Sequence, residues 1–202
     1  KISQNKDAFL SKVRSISNSL NINPDWLMAV MDLETNGTFN PSIRNATSGA
    51  TGLIQFLPST AAGLGTSVQA LAGMSNVEQL DYVYLYMKQY KQYLTDYISV
   101  YLAVFFPAAL GKSDDYVIQQ KKTSADTIAR QNPFFDLNKD AQIKVSEIKQ
   151  AFLSRIPSGL VNSFIRSRDD MEKFFTRHAM PIILVTAGLI GLIYFKFSTR
   201  RV

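Results

Sequence analysis

The sequence contains no cysteine, one histidine and one tryptophan among its 202 residues. The absence of cysteine excludes a disulfide framework and a thiolate metal site, and it leaves the redox compartment undetermined. Glutamate is scarce at the start of the chain, where Glu34 is the only one in the first 77 residues. Glycine and proline contents are ordinary and 46% of the residues are hydrophobic, so the chain can bury a core of useful size.

The net charge of +6 is unevenly distributed. Residues 1–154 hold 14 basic and 13 acidic side chains, whereas residues 155–202 hold 8 basic and 3 acidic ones. The basic residues of the last quarter flank an apolar run, and this pattern is typical of a membrane surface. The sequence therefore predicts a lipid partner and no nucleic-acid partner.

Glu34 follows an apolar segment that starts at Pro24. The apolar residues of this segment are Trp26, Leu27, Val30, Met31 and Leu33. Their density predicts a core helix with proline in its first turn and Glu34 at its end. A general acid needs a carboxyl group in a poorly solvated place, so Glu34 is a catalytic candidate. By itself, a glutamate at a helix end is more often a solvated surface residue.

The residues after Glu34 resemble the lytic transglycosylase domain of the soluble (SLT) type, a relative of goose-type lysozyme. The matching residues, in order, are Glu34, Thr35, Phe39, Asn40, Pro41, Gly49, Ala50, Gly52, Leu53, Ile54, Gln55, Pro58, Thr60 and Ala61. The resemblance implies a mainly α (α+β lysozyme-like) domain over residues 1–122. It also implies that Glu34 is the single catalytic acid/base, and that the turn containing Gln55 shapes a saccharide cleft.

The sequence departs from the family pattern at three places. The spacing from Glu34 to Gln55 is about three residues longer than the family's, and the usual serine is replaced near Ala46, with Thr47 or Ser48 in its place. Residues 103–111 stand where the family has an Ala, Tyr, Asn, Ala, Gly element, and they lack its tyrosine and asparagine. The substrate-binding residues that the resemblance implies are Ser48, Gln55, Phe105 and Tyr116.

The sequence offers one convincing catalytic carboxylate. Asp32 lies two residues before Glu34 and therefore on a different helix face. With one carboxyl group, the N-acetyl oxygen of the substrate acts as the internal nucleophile in substrate-assisted enzymes. The family resemblance then implies that Glu34 protonates the glycosidic oxygen between N-acetylmuramic acid and N-acetylglucosamine, and that a 1,6-anhydro product forms.

Residues 136–147 resemble the twelve-residue calcium loop of an EF-hand, within a segment at 123–156. The expected ligands are Asp136, Asn138, Asp140, Gln142 through its backbone carbonyl, and Glu147. Ala141 replaces the glycine of the sharp turn, and Lys144 brings a positive charge close to the ion. The sequence predicts a structural calcium ion there, and the alternative is a polar loop before a helix.

Helical periodicity predicts further elements at residues 7–20 with Asp7 as N-cap, 76–94 with Asn76 as N-cap, 97–110 and 145–156. Residues 36–61 favour turns and should form the cleft wall. Many tyrosines occupy residues 82–101, and they are interpreted as half-buried core residues more readily than as sugar-stacking platforms.

The end of the chain predicts a membrane anchor. Residues 157–178 form a basic amphipathic pattern that suits a membrane interface or packing on the domain. Residues 179–195 carry no charge and would span about 25 Å as a helix, so a transmembrane helix is predicted at 179–197, followed by a basic tail at 198–202. A buried core helix is the alternative, and both flanks are basic, so the orientation stays open.

Together these features predict a single-pass, C-terminally anchored enzyme that cleaves peptidoglycan glycan strands, either in a bacterial envelope or in the internal membrane of a bacteriophage virion, with virion or envelope protein partners. The alternative is a catalytically impaired structural or virion membrane protein that keeps the fold for wall binding or assembly. A calcium-dependent interaction module without sugar chemistry is a third class.

Overall fold

The computed structural model describes residues 2–120 and 123–154. Over these two ranges the chain forms eight α-helices and two short 3-10 helices, and its strand structure is limited to four isolated bridges. The α-helices are α1 (Lys6–Leu20), α2 (Pro24–Glu34), α3 (Pro58–Gly63), α4 (Val68–Gly73), α5 (Asn76–Lys88), α6 (Tyr97–Phe105), α7 (Ala125–Gln131) and α8 (Val145–Leu153). The 3-10 helices are Lys91–Tyr93 and Pro107–Ala109. The expectation of a mainly helical chain is therefore met in the described part.

Helices α1 and α2 form as their periodicity predicts. In α1, Phe9, Val13, Ile16 and Leu20 are buried, at the three- and four-residue steps of one helix face. The helix begins one residue before Asp7, and Asn5 precedes it in the left-handed conformation without a side-chain cap, so the predicted Asp7 cap is wrong. In α2, Pro24 occupies the first turn and Glu34 is the last helical residue, as predicted. Helix α1 packs against both α2 and α5.

Helices α5 and α6 are shorter than predicted. Ser75 caps α5 in place of Asn76, because its hydroxyl accepts from the backbone N–H of Glu78 in a capping box. The helix ends at Lys88, and a 3-10 turn then leads to the buried Leu94. Helix α6 ends at Phe105, just before Pro107, because proline lacks the N–H that would continue the helix. Nearly every residue of α6 is buried, so it is the central core helix that the sequence predicts.

The tight turn at Gly52 and Leu53, between α2 and α3, is fixed by hydrogen bonds from the buried side of the turn to Gln79 of α5. The Gln79 side chain is fully buried, and its Oε1 accepts from the backbone N–H of Leu53 at 2.6 Å. Its Nε2 donates to the carbonyls of Pro41 and Leu71, at 3.0 and 2.8 Å. Gly52 adopts φ +87°, and a Cβ there would lie 2.2 Å from Gln79 Oε1. Glycine is therefore required at residue 52 both by backbone conformation and by space.

Residues 123–154 share the hydrophobic core of the preceding helices. The ring of Phe135 lies 5.2 Å from that of Phe105, between centroids, and the ring of Phe152 in α8 lies 4.1 Å from that of Tyr101 in α6. Such aromatic contacts bury large areas and stabilise the packing of the two parts. The predicted domain boundary at residue 122 is therefore crossed by a continuous core.

Backbone hydrogen bonds join the same two parts. The N–H of Ile118 donates to the carbonyl of Ile143 at 2.7 Å, and the N–H of Val145 donates to that of Tyr116 at 3.1 Å. Lys149 of α8 forms an ion pair with Asp114. These contacts hold residues 143–149 against the preceding helices.

The predicted amphipathic segment at 157–178, the predicted transmembrane helix at 179–197 and the basic tail at 198–202 lie outside the described residues. Within residues 2–120 and 123–154, no helix is both long and apolar enough to cross a bilayer.

We expect Gly52→Ala to lower the free energy of unfolding by about 2 to 4 kcal/mol, since it adds strain at positive φ and displaces the buried Gln79 amide. Urea denaturation measures this difference. Gly73→Ala is the matched control, because a Cβ at the end of α4 meets nothing within 4 Å. An equal loss of stability in both variants would contradict the proposed support of the turn.

Candidate functional site

Glu34 is buried at the carboxyl end of α2. Its side chain is 5% exposed, and α2 packs against α6 and α1. The next residue, Thr35, ends the helix and redirects the chain: its hydroxyl donates to the carbonyl of Met31 at 2.7 Å and accepts from the N–H of Phe39 at 3.0 Å. Glu34 is therefore poorly solvated, and the hydrogen bonds of Thr35 fix the backbone directly after it.

A cleft of about 440 Å³ opens between α3, the end of α5 and the end of α6. Its apolar wall consists of Ile54, Phe56, Leu57, Leu64, Val104, Phe105, Phe106, Pro107 and Ala108. Its polar groups are Thr60, Tyr86, Gln89, Tyr90 and Gln120. Aromatic and apolar faces with a few hydroxyls and amides suit the two sides of a sugar ring. Glu34 itself is not among the residues that line this cleft.

Tyr86 connects Glu34 to the cleft. Burial raises the pKa of the Tyr86 hydroxyl well above its usual value of 10.0, and the neighbouring Tyr90 and the charge of Glu34 raise this pKa further. The hydroxyl therefore stays protonated at neutral pH, and it donates to the carbonyl of Ala103 in α6 at 2.7 Å. Tyr86 lines the cleft, and it is near enough to Glu34 for the charge of that carboxyl group to act on its pKa.

The turn that contains Gln55 forms one side of the cleft through its neighbours Ile54 and Phe56. Gln55 itself adopts φ +50° and is buried. Its side-chain Nε2 donates to the carbonyls of Ile43 and Gly52, at 3.3 and 3.1 Å. The predicted substrate-binding residue Gln55 thus braces the wall from inside, whereas its two neighbours face the cleft.

The other predicted substrate-binding residues are distributed differently. Phe105 lines the cleft, and its ring also stacks on Tyr101 with 5.4 Å between centroids. The Ser48 hydroxyl accepts from the N–H of Ala50 at 3.2 Å, so it stabilises the loop. Tyr116 is half-buried, with the Lys112 ammonium 5.7 Å from the centre of its ring. Neither Ser48 nor Tyr116 is among the lining residues of the described cleft.

Sequence analysis did not single out several lining residues. Tyr86 and Tyr90 are one turn apart, and their rings meet edge to face at 5.5 Å. Their four-residue spacing was visible in the sequence, but several other tyrosines nearby share that spacing. Gln120 comes from beyond α6, and no motif marks it. Only the tertiary structure distinguishes these residues from the rest, because it brings the end of α5, the end of α6 and Gln120 to one cleft.

Two residues of the predicted calcium loop have left-handed backbone conformations. Ala141, at the position where the family has glycine, adopts φ +64°, and Lys139 adopts φ +59°. Both Asp136 carboxylate oxygens accept loop amides, from Asp140 at 3.1 Å and from Ala141 at 3.2 Å. The side chain is thus turned towards the inside of the loop.

The last predicted ligand, Glu147, closes the same loop. It is buried, and its Oε1 accepts from the N–H of Leu137 at 3.1 Å, while its Oε2 accepts from that of Lys144 at 2.9 Å. In the described part of the chain, no group of three or more His, Asp or Glu side chains is close enough to hold a metal ion as it stands. Carboxylate oxygens that now accept amides would have to turn towards an ion.

Comparison with known proteins agrees with the geometry of the N-terminal part. Residues 12–109 match the protein family described as Transglycosylase SLT domain. The matched segment runs from α1 to the second 3-10 helix and contains Glu34, Gln55 and Phe105. No curated protein and no solved structure matches the chain significantly. The predicted calcium loop and membrane anchor lie outside the matched segment. Over residues 12–109 the chain is thus similar to the SLT domain of peptidoglycan lytic transglycosylases, and this match supports peptidoglycan as its substrate.

Proposed function

We propose that this protein is a peptidoglycan lytic transglycosylase in which Glu34 is the single catalytic acid/base. The observation that carries the proposal is a buried carboxyl group at the end of α2, within the segment that matches the SLT family. Its charge acts on Tyr86, a residue in the wall of a saccharide-sized cleft. Burial keeps such a group from water and suits it to hold and deliver a proton.

The burial pattern favours a mechanism with one carboxylate. Among the described residues, Glu34 and Glu147 are the only buried carboxylates, and Glu147 is engaged with the backbone of its own loop. Asp32 is exposed, so it does not share the environment of Glu34. Two-carboxylate hydrolysis, which needs a second group beside the scissile bond, is therefore less well supported than substrate assistance.

The proposed reaction has two proton transfers at Glu34. The carboxyl group first protonates the glycosidic oxygen between N-acetylmuramic acid and N-acetylglucosamine, while the substrate's N-acetyl oxygen attacks the anomeric carbon. The N-acetylglucosamine unit leaves with that proton. The resulting carboxylate then removes the proton of the muramic 6-hydroxyl, whose oxygen bonds to the anomeric carbon as the bond to the N-acetyl oxygen breaks and the N-acetyl group is restored. The product is a 1,6-anhydro sugar, and Glu34 returns to its protonated form.

We expect Glu34→Gln to lower the release of anhydromuropeptides from purified sacculi by at least about 100-fold, because glutamine delivers no proton. Mass spectrometry of the soluble products distinguishes anhydro ends, reducing ends and no cleavage. Asp32→Asn removes a charge from the same helix at an exposed position and should retain most of the activity. Undiminished release by the Glu34 variant would contradict the assignment.

A catalytically impaired structural protein is the second candidate, favoured by one feature of the cleft. Phe105 and Phe106 occupy the element where the family has tyrosine and asparagine, so this part of the cleft offers no side-chain hydrogen bond. Under this alternative the protein binds sacculi but releases no fragments of either kind. The same product analysis therefore distinguishes the two candidates.

We also propose that residues 136–147 bind a structural calcium ion. The expected ligands are all oxygen atoms, which calcium prefers, and the loop backbone has left-handed residues at 139 and 141. A bound ion would hold Asp136, Asp140 and Glu147 together and neutralise their mutual repulsion. The continuous core between α6 and α8 would transmit that stabilisation to the whole described part.

We expect calcium at 100 times its dissociation constant to raise the free energy of unfolding by about 2.7 kcal/mol. Calorimetric titration of the full chain with CaCl2, followed by thermal unfolding with and without the ion, measures affinity and stabilisation separately. Asp136→Asn should weaken binding at least about tenfold, whereas Asp115→Asn, at an exposed position outside the loop, should not. Absence of binding up to millimolar calcium would exclude the site.

The proposed enzyme is anchored to a membrane by residues 179–197, as the uncharged run between basic flanks indicates. We expect the full chain to co-float with vesicles and to resist alkaline carbonate extraction, while a chain ending at residue 178 is released. Extraction of the full chain by carbonate would contradict a spanning anchor. The same proposal places the protein either in a bacterial envelope or in the membrane of a virion. Its protein partners would then be envelope or virion proteins.

A further inference from the structure

A second depression lies beside the saccharide cleft, at the carboxyl end of α5. Its volume is about 690 Å³, and it is bounded by the end of α1, the end of α5 and the 3-10 helix that follows. Its polar wall consists of Asn21, Lys88, Gln89, Lys91, Gln92 and Thr95. Gln89 also lines the saccharide cleft, so the two depressions share a wall residue and are neighbours on the surface.

The charge of this depression differs from that of its surroundings. Residues 2–120 and 123–154 contain eleven basic and thirteen acidic side chains, so the described part of the chain is net negative. The second depression nevertheless holds Lys88 and Lys91 and no carboxylate. Among the described residues, neither lysine takes part in an ion pair. The second depression is therefore lined by two lysines, and neither of them is neutralised by an ion pair in the described residues.

Local interactions stabilise only one of the two lysines. Lys88 ends α5, where a cation interacts favourably with the helix dipole, and its ammonium lies 5.7 Å from the centre of the Tyr84 ring. Lys91 lies beyond the helix and has neither interaction in the described structure. The ligand that fits is thus an anion with neighbouring groups able to hydrogen-bond to amides and hydroxyls.

We propose that this depression binds the carboxylates of the peptide carried by the muramic acid residues of the substrate. The inference rests on the proposed function, since a glycan strand in the cleft would bring its peptide across Gln89. A peptide of three to five residues reaches roughly 10–17 Å, which is ample for two depressions that share one wall residue. The glutamine and threonine side chains would pair with its backbone, and the lysines would pair with its acid groups.

The double variant Lys88→Gln/Lys91→Gln tests the proposal on two substrates. On intact sacculi at low salt we expect kcat/KM to fall by about threefold to tenfold, as exposed charge interactions allow. On glycan strands stripped of peptide by an amidase, the change should stay below twofold. Lys6→Gln/Arg14→Gln is the control, because it removes the same charge from exposed positions of α1. An equal loss on both substrates, or no loss on intact sacculi, would overturn the proposal.

Binding can be measured independently of turnover. In a Glu34→Gln background, co-sedimentation with intact sacculi should weaken by a similar factor when both lysines are replaced, and co-sedimentation with stripped strands should not. If wild-type protein cleaves neither substrate, the proposed enzymatic function fails, and this binding comparison still decides the peptide site. Equal binding of the double variant and its parent to intact sacculi would reject it.

Discussion

The burial of one carboxyl group is the constraint on which the rest of this structure depends. Glu34 lies at the carboxyl end of α2, where the helix dipole disfavours negative charge, and almost none of its side chain reaches water. Removing such a group from water costs free energy, so a buried carboxyl group at this position does not stabilise the fold. Helices α1 and α6, which pack against α2, keep the group in this position, and the proposed proton transfer would account for its burial.

The altered element at 103–111 is explained by what packs behind it. Phe105 faces the cleft, but its ring also contacts those of Tyr101 and Phe135. Phe135 immediately precedes the predicted calcium loop, so the segment after residue 122 supplies part of the support for the cleft wall. A phenylalanine without a hydroxyl suits a position with apolar neighbours on its inner side. Phe105, which departs from the family pattern, thus packs directly on Phe135 of the segment after residue 122.

Sequence periodicity predicted α1, α2, α5 and α6 because each buries one stripe or, for α6, nearly its whole surface. It predicted their ends poorly. A cap is decided by a single side-chain hydrogen bond, and both Asn76 and Ser75 are plausible caps before α5. Helices α3, α4 and α7 were not predicted, since six or seven residues show too few turns for a period to emerge, and α3 begins inside the stretch at 36–61 for which turns were predicted. The candidate site divides in the same way: Glu34 and Phe105 were found by motif, whereas Tyr86 and Gln89 were not.

The sequence by itself determined the existence of the longer helices, which glutamate ends an apolar helix and where glycines punctuate the following loop, because these properties depend on near neighbours in the chain. Only the tertiary structure decided that Gln55 braces the cleft wall from inside while Tyr86 and Gln120 face the cleft. It also decided that Lys88 and Lys91 flank a depression without a carboxylate. Those properties depend on which side of a helix meets which neighbour, and residues far apart in sequence settle that through packing.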